Sequence, residues 1–139
     1  MPAAPGAGRL IAALYALFAL AATGRAVVQI ATRFSAAPLA YTLTAVAAVI
    51  YLVAAWALTR TSAVSRRLAW AACTIELVGV VCVGTLSLAT PSLFPDDTVW
   101  SRYGSGYGYI PLVLPLLGLI WLARRRQASP AAGPDESSG

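Results

Sequence analysis

Two ionisable residues lie inside otherwise apolar stretches of this chain, Arg25 and Glu76. A charge within a membrane-spanning helix costs at least ~2.5–3.5 kcal/mol and ordinarily faces the protein interior against a partner. Their spacing from flanking arginines sets their depths. Arg25 precedes Arg33 by eight residues, and Glu76 follows Arg67 by nine. At ~1.5 Å per residue this puts one ~12 Å below one edge of a ~30 Å hydrocarbon core and the other ~13.5 Å above the opposite edge. The two Cα heights then differ by only ~5 Å, within the reach of an arginine side chain. The spacing predicts a buried Arg25–Glu76 pair between the first and third helices. Gln29, one turn beyond Arg25, and Thr32 continue the same polar face.

Such a pair has two chemistries. It can fix helix register and neighbours, the attested use of buried ion pairs. It can also be a proton- or cation-linked carboxylate in a binding or transport site, with Arg25 as the counter-charge. In a third arrangement the two never meet: Arg25 reaches outward, and Glu76 is protonated or paired with another subunit.

A second group of candidates is Trp100, Tyr103, Tyr107 and Tyr109, in the segment around YGSGYGYI (Tyr103–Ile110). Glycine permits close backbone approach, and tyrosine supplies hydroxyls and ring faces, so the segment is a candidate rim for an outer-face pocket. Its GYG triplet departs from a potassium-channel filter, because Ser105 and Gly104 stand where such a filter has Val and Thr. Asp96-Asp97 is an adjacent loop pair without the ligand number that calcium takes.

Other chemistry is not supported. The chain has no histidine, so the commonest general base and metal ligand is missing. Cys73 and Cys82 fall on opposite faces of one helix, ~13.5 Å apart along its axis, beyond the ~7 Å that a disulfide bridges. No zinc spacing, HExxH motif, phosphate-binding loop, serine–base pair or carboxylate dyad in one plausible site occurs, and the reading is no enzyme, no cofactor and no metal. The net charge of +5 is explained by membrane topology without invoking nucleic acid.

The elements that must position these residues are four apolar stretches: Leu10–Ile30, Leu39–Thr59, Leu68–Ala89 and roughly Tyr107–Ala123. A helix of ~20 apolar residues crosses a bilayer. The predicted fold is all-α, a polytopic four-helix transmembrane bundle over residues 9–126, with helices at about 10–31, 39–59, 68–90 and 107–123. Residues 1–8 and 127–139 read as disordered tails. Met1–Ala22 also has the outline of a secretory signal peptide, but apolar character continues through Ala26–Ile30 and makes a full span. The fourth stretch is short. From Ile110 to Arg124 it supplies ~21 Å of helix, so either it starts earlier or the Gly-rich segment dips into the protein.

All ten basic residues are arginine. With four crossings, Arg9, Arg60, Arg66, Arg67 and Arg124–Arg126 share one side, while Arg33 and Arg102 share the other. The positive-inside rule then places both termini in the cytoplasm of a cell that carries the protein in its plasma membrane. Two aromatic belts agree: Trp56, Trp70 and Trp121 at the inner boundary, and Tyr41, Trp100, Tyr103, Tyr107 and Tyr109 at the outer. The arginine clusters are also placed to meet anionic lipid headgroups. In the third helix Ala69, Ala72, Cys73, Gly79 and Gly84 are small, and Ala72 and Gly79 flank Glu76, which puts that face at a helix–helix contact.

The stretches APLAY (Ala37–Tyr41), IELVGVVCVGTLSL around Glu76, and FPDDTVWSRYGSGYGYIPLVLPLLGLIWL (Phe94–Leu122) with the arginines that follow resemble a group of small, uncharacterised actinobacterial integral membrane proteins. The resemblance implies a bundle of about four helices and no assigned activity. The leading expectation is a non-enzymatic accessory or scaffold subunit in the lipid bilayer, bound to a membrane-protein partner or to itself through its small-residue faces. The alternative is a homo-oligomeric transporter or solute-binding protein that uses Glu76 with Arg25.

Overall fold

The computed structural model describes residues 5–128. Four helices carry the chain: α1 (Pro5–Arg33), α2 (Pro38–Leu58), α3 (Ala63–Ala89) and α4 (Ile110–Ala128). No strand occurs among the described residues. The first three are each long and apolar enough to cross a membrane. The fourth qualifies together with the bent 3₁₀ segment before it. The all-α polytopic bundle is therefore the fold.

Each boundary has a local cause. Pro38 opens α2 at its first turn, where its missing N–H is no loss. The Oγ of Ser62 caps α3 by accepting from the Ser65 N–H at 3.2 Å. That cap starts α3 five residues before the predicted Leu68, because Arg66 and Arg67 are its first turn and not a loop. α1 likewise begins at Pro5, so Pro5–Gly8 is helical and not a tail. Of the expected C-terminal tail, Gln127 and Ala128 end α4, and the remainder lies outside the described residues, as do residues 1–4.

The helices alternate in direction, and α1 pairs most extensively with α2. The start of α1 lies beside the end of α4, where Gly8 meets the Trp121 ring. Tyr15, Tyr41, Tyr51, Leu114 and Val80 are fully buried in the core. Large apolar side chains such as Leu17, Leu20, Val49, Leu52, Ile75 and Val78 point outward. An apolar exterior around a core of alanine and tyrosine is the reverse of a soluble protein and suits lipid as the solvent.

The α3–α4 connection decides the site. After a short 3₁₀ turn at Pro91–Leu93, the chain re-enters the bundle, and Thr98, Val99, Trp100 and Ser101 are all buried. The Trp100 ring lies on Gly79, where a Cβ would come within 2.7 Å of it. Gly79 is ten residues before the end of α3, so the loop reaches ~15 Å inward from that end. Irregular backbone at this depth needs internal partners, and it has them. Thr98 N–H donates to Ser101 Oγ at 2.8 Å, Trp100 N–H to Thr98 Oγ1 at 3.0 Å, and Arg102 N–H to Ser87 Oγ at 2.8 Å. The 3₁₀ segment Ser101–Tyr107 then runs at 98° to α4. Of the two readings of the short fourth stretch, the segment that dips into the protein is the one adopted.

Candidate functional site

The site has two storeys. The deeper is built on Glu76, whose side chain is wholly buried in the middle of α3. Its Oε1 accepts a 2.6 Å hydrogen bond from the Tyr15 hydroxyl of α1. The Cys73 thiol, one turn before Glu76, lies 3.7 Å from the same hydroxyl. Because that hydroxyl already donates to Glu76, the thiol is the donor to it. From α2, the Tyr51 hydroxyl accepts from Trp100 Nε1 at 2.9 Å, which leaves its own proton available to the carboxyl beside it. No hydrogen bond of standard geometry from the described residues reaches Glu76 Oε2. Four elements thus supply one cluster: α1, α2, α3 and the re-entrant loop.

The shallower storey is a polar rim at the loop end. Arg25 donates to the Tyr107 hydroxyl at 2.7 Å and to the Asp97 carbonyl at 3.4 Å, and its guanidinium stands 6.0 Å from the Tyr107 ring centroid. Arg33 pairs with Asp96 at 3.3 Å, and Arg102 with Asp97 at 2.7 Å. The Tyr41 hydroxyl also donates to Asp96 at 2.9 Å. That bond, ahead of the nearby arginines, holds the Asp96 carboxyl below the usual aspartate range.

Rings join the storeys. Tyr107 packs edge-on against Phe18 at 5.9 Å, Phe18 against Tyr51 at 6.4 Å, and Tyr51 against Tyr15 at 5.9 Å. Toward the arginine-rich end the lining changes to Ile11, Ala12, Ala69, Trp121 and Leu122, all buried. The carboxyl therefore has polar and aromatic groups toward the loop end and apolar groups toward the arginine-rich end.

The predicted Arg25–Glu76 pair is not formed. Glu76 meets Tyr15, which precedes Arg25 by ten residues on α1, or ~15 Å of helix. The sequence argument took flanking arginines as the hydrocarbon edges. α1 runs 29 residues, ~43 Å, well beyond a ~30 Å core, so that ruler misplaces Arg25. Gln29 is buried with Oε1 unpartnered, as is Thr44 Oγ1 on α2. Thr32 leaves the polar face: it is exposed and bonds back to the Val28 carbonyl.

The four loop aromatics do not form one rim. Tyr107 joins Arg25. Trp100 is a plug over Gly79 and Tyr51, buried and not in an interfacial belt. Tyr103 lies on Gly84 with its hydroxyl 2.9 Å from Thr85 Oγ1. Tyr109 is half-exposed and contributes backbone, donating to the Gly104 carbonyl at 3.0 Å. The small face of α3 is only in part the expected helix contact: Gly118 of α4 lies against Cys73, but the connecting segment covers the rest, with Trp100 on Gly79 and Tyr103 on Gly84.

Sequence reasoning missed Tyr15 and Tyr51. A signal was present, since a tyrosine at mid-span must find a partner for its hydroxyl, and these two stand far from either belt. No group of three or more potential metal ligands occurs among the described residues. No protein-family model, no curated protein and no solved structure matches the chain.

Proposed function

We propose that this chain is a non-enzymatic, multi-pass protein of the cell membrane that binds and releases a proton at Glu76 from the loop side, with both termini cytoplasmic. One observation carries this reading. A carboxyl wholly buried at mid-bundle is met by a tyrosine hydroxyl and, among the described residues, has a second oxygen without a standard hydrogen bond and no cation in ion-pair contact. A carboxyl that only fixed register would be expected to carry a counter-charge. An intramembrane ionisable group without one points to proton or ion handling.

The packing favours a proton as the species bound. Tyr15, Cys73 and Glu76 have no measurable exposure, and Tyr51 has 1%. A larger solute would need the Trp100 plug to move.

The test is infrared difference spectroscopy of the purified chain in lipid nanodiscs, titrated with pH. The wild type should show a protonated-carboxyl band that bleaches with rising pH and is absent from Glu76→Gln. A titration identical in both proteins would sink the proposal. Orientation is tested separately, by a cysteine at Ala3, which should resist an impermeant thiol reagent in intact cells and react after lysis.

The accessory-subunit reading keeps one support. Between α1 and α2 lies an open apolar groove, lined by Val27, Ile30, Val49 and Leu52 as well as by small residues such as Ala26 and Ala48, a surface against which a partner helix could pack. The mass of the native complex after gentle extraction decides it. A defined hetero-complex would favour the subunit, and a chain recovered alone or as a homo-oligomer would favour the proton site.

A further inference from the structure

Three arginines from three segments converge at the end of the bundle opposite the re-entrant loop. Arg60 follows α2, Arg66 lies in the first turn of α3, and Arg125 lies in the last turns of α4. With Ala57, Thr61, Trp121 and Leu122 they line the mouth of one shallow opening, whose own space of about 10 Å³ holds no more than a water, so an anion would sit at the mouth. Among the described residues none of the three is in an ion pair. Both ion pairs among the described residues engage arginines of the other end. The positive-inside rule asks only that arginines lie on this side, and mutual repulsion would splay them apart.

Instead two are held in place by rings. The Arg60 guanidinium sits 5.6 Å from the Trp56 ring centroid, and that of Arg125 sits 5.1 Å from Trp121. A guanidinium held by its face keeps its N–H fork for an oxyanion. The first turn of α3 has no acidic residue to answer the positive end of its helix dipole. Trp56 is 46% exposed on the outer surface of the bundle, one turn before Arg60.

We propose that this opening binds the phosphate of an anionic phospholipid, with Arg60, Arg66 and Arg125 on the phosphate oxygens and Trp56 against the upper acyl chain. Basic pockets between transmembrane helices recognise headgroups in this way. The site is distinct from Glu76 and does not depend on its role.

The experiment is native mass spectrometry of the full-length chain in neutral detergent, with phosphatidylglycerol or phosphatidylcholine added. One phosphatidylglycerol should be retained under conditions that strip phosphatidylcholine. Arg60→Gln, Arg66→Gln and Arg125→Gln should each weaken retention about fivefold, while Arg67→Gln and Arg124→Gln should leave it unchanged. A triple Arg→Lys variant keeps the charge that sets orientation but loses the bidentate fork, and it should also lose the lipid while retaining wild-type helix content. Equal retention of the two lipids, or equal loss in the Arg67 and Arg124 variants, would overturn the site as diffuse attraction. Displacement of the lipid by an equal concentration of inorganic phosphate would overturn the lipid assignment in favour of a free anion.

Discussion

Glu76 and Arg25 face the same problem, a charge-bearing group in an apolar bundle, and they meet it differently. Glu76 is sealed among hydroxyls, a thiol and an indole from four elements. Arg25 is half-buried at the rim and uses one tyrosine hydroxyl, one carbonyl and one ring face. The difference follows from reach. An arginine is long enough to bring its charge toward polar surroundings, whereas a glutamate at mid-helix has to be met where it stands. The deep storey should therefore be rigid and intolerant of change, and the rim adaptable.

The largest expected effect comes from prising the storeys apart. Gly79→Leu places a side chain where the Trp100 ring lies, so the plug cannot seat and the bond to Tyr51 is lost. Overpacking of this kind costs about 1–3 kcal/mol, and here a buried indole N–H loses its acceptor as well. Unfolding in mixed micelles should show destabilisation at the top of that range, and Trp100 emission should shift toward that of a solvated indole. Gly6→Leu, at a glycine with open space around it, is the control and should change neither.

Next is the deep hydrogen bond. Tyr15→Phe leaves both Glu76 oxygens without a standard hydrogen bond, and an orphaned buried polar group costs about 1–3 kcal/mol. Replacing both partners by apolar groups, Tyr15→Phe with Glu76→Leu, should recover most of that loss while abolishing the titrating carboxyl. If the double variant is no more stable than the worse single, the two residues do not act as a pair. At the rim, Arg25→Gln should cost under about 1 kcal/mol, since a part-exposed charge is readily re-solvated. A double-mutant cycle sharpens the contrast. Arg25 should couple to Tyr107 and show a coupling to Glu76 below about 0.5 kcal/mol. A strong Arg25–Glu76 coupling would restore the ion pair that residue spacing predicts.

The fold was legible because long apolar runs, Pro38 and Pro91 are local signals, and a bilayer enforces helices on such runs. The identity of Glu76 as the interior charge was legible for the same reason. Its partner was not. Partnership depends on the axial offset between α1 and α3, which side-chain packing sets and no single helix encodes. The same offset hid Tyr15 and Tyr51, whose roles exist only once three helices are aligned. The re-entrant loop was half-legible. A fourth run too short to span, preceded by glycines, pointed to a dip. What the composition of that segment does not specify is that Trp100 would lead it, because tryptophan at a loop is also what an interfacial belt looks like. The Arg60, Arg66 and Arg125 cluster was visible only as charge on one side, since its convergence joins the ends of three helices.

The smallest effect belongs to the rim and depends on pH. Asp96 is held below its ordinary range first by the Tyr41 hydroxyl, then by its own backbone turn and by Arg33. A carboxylate whose folded value lies below its unfolded value of about 3.9 binds fewer protons folded than unfolded. Its contribution is complete above that value and is lost as pH falls through the lowered one. Acidifying the loop side from neutrality to about pH 5 should therefore leave the rim intact, and loosening should begin only below the ordinary aspartate range. Tyr41→Phe removes the main cause, so its loosening should start at higher pH than in the wild type, with Trp100 in the same loop as the reporter. Trp100 itself is fixed to Gly79 and Tyr51 in the deep storey, so the signal should be small if the two storeys are mechanically separate. A large Trp100 response to Asp96 protonation would mean that the rim controls the plug, and that entry to Glu76 is gated from outside.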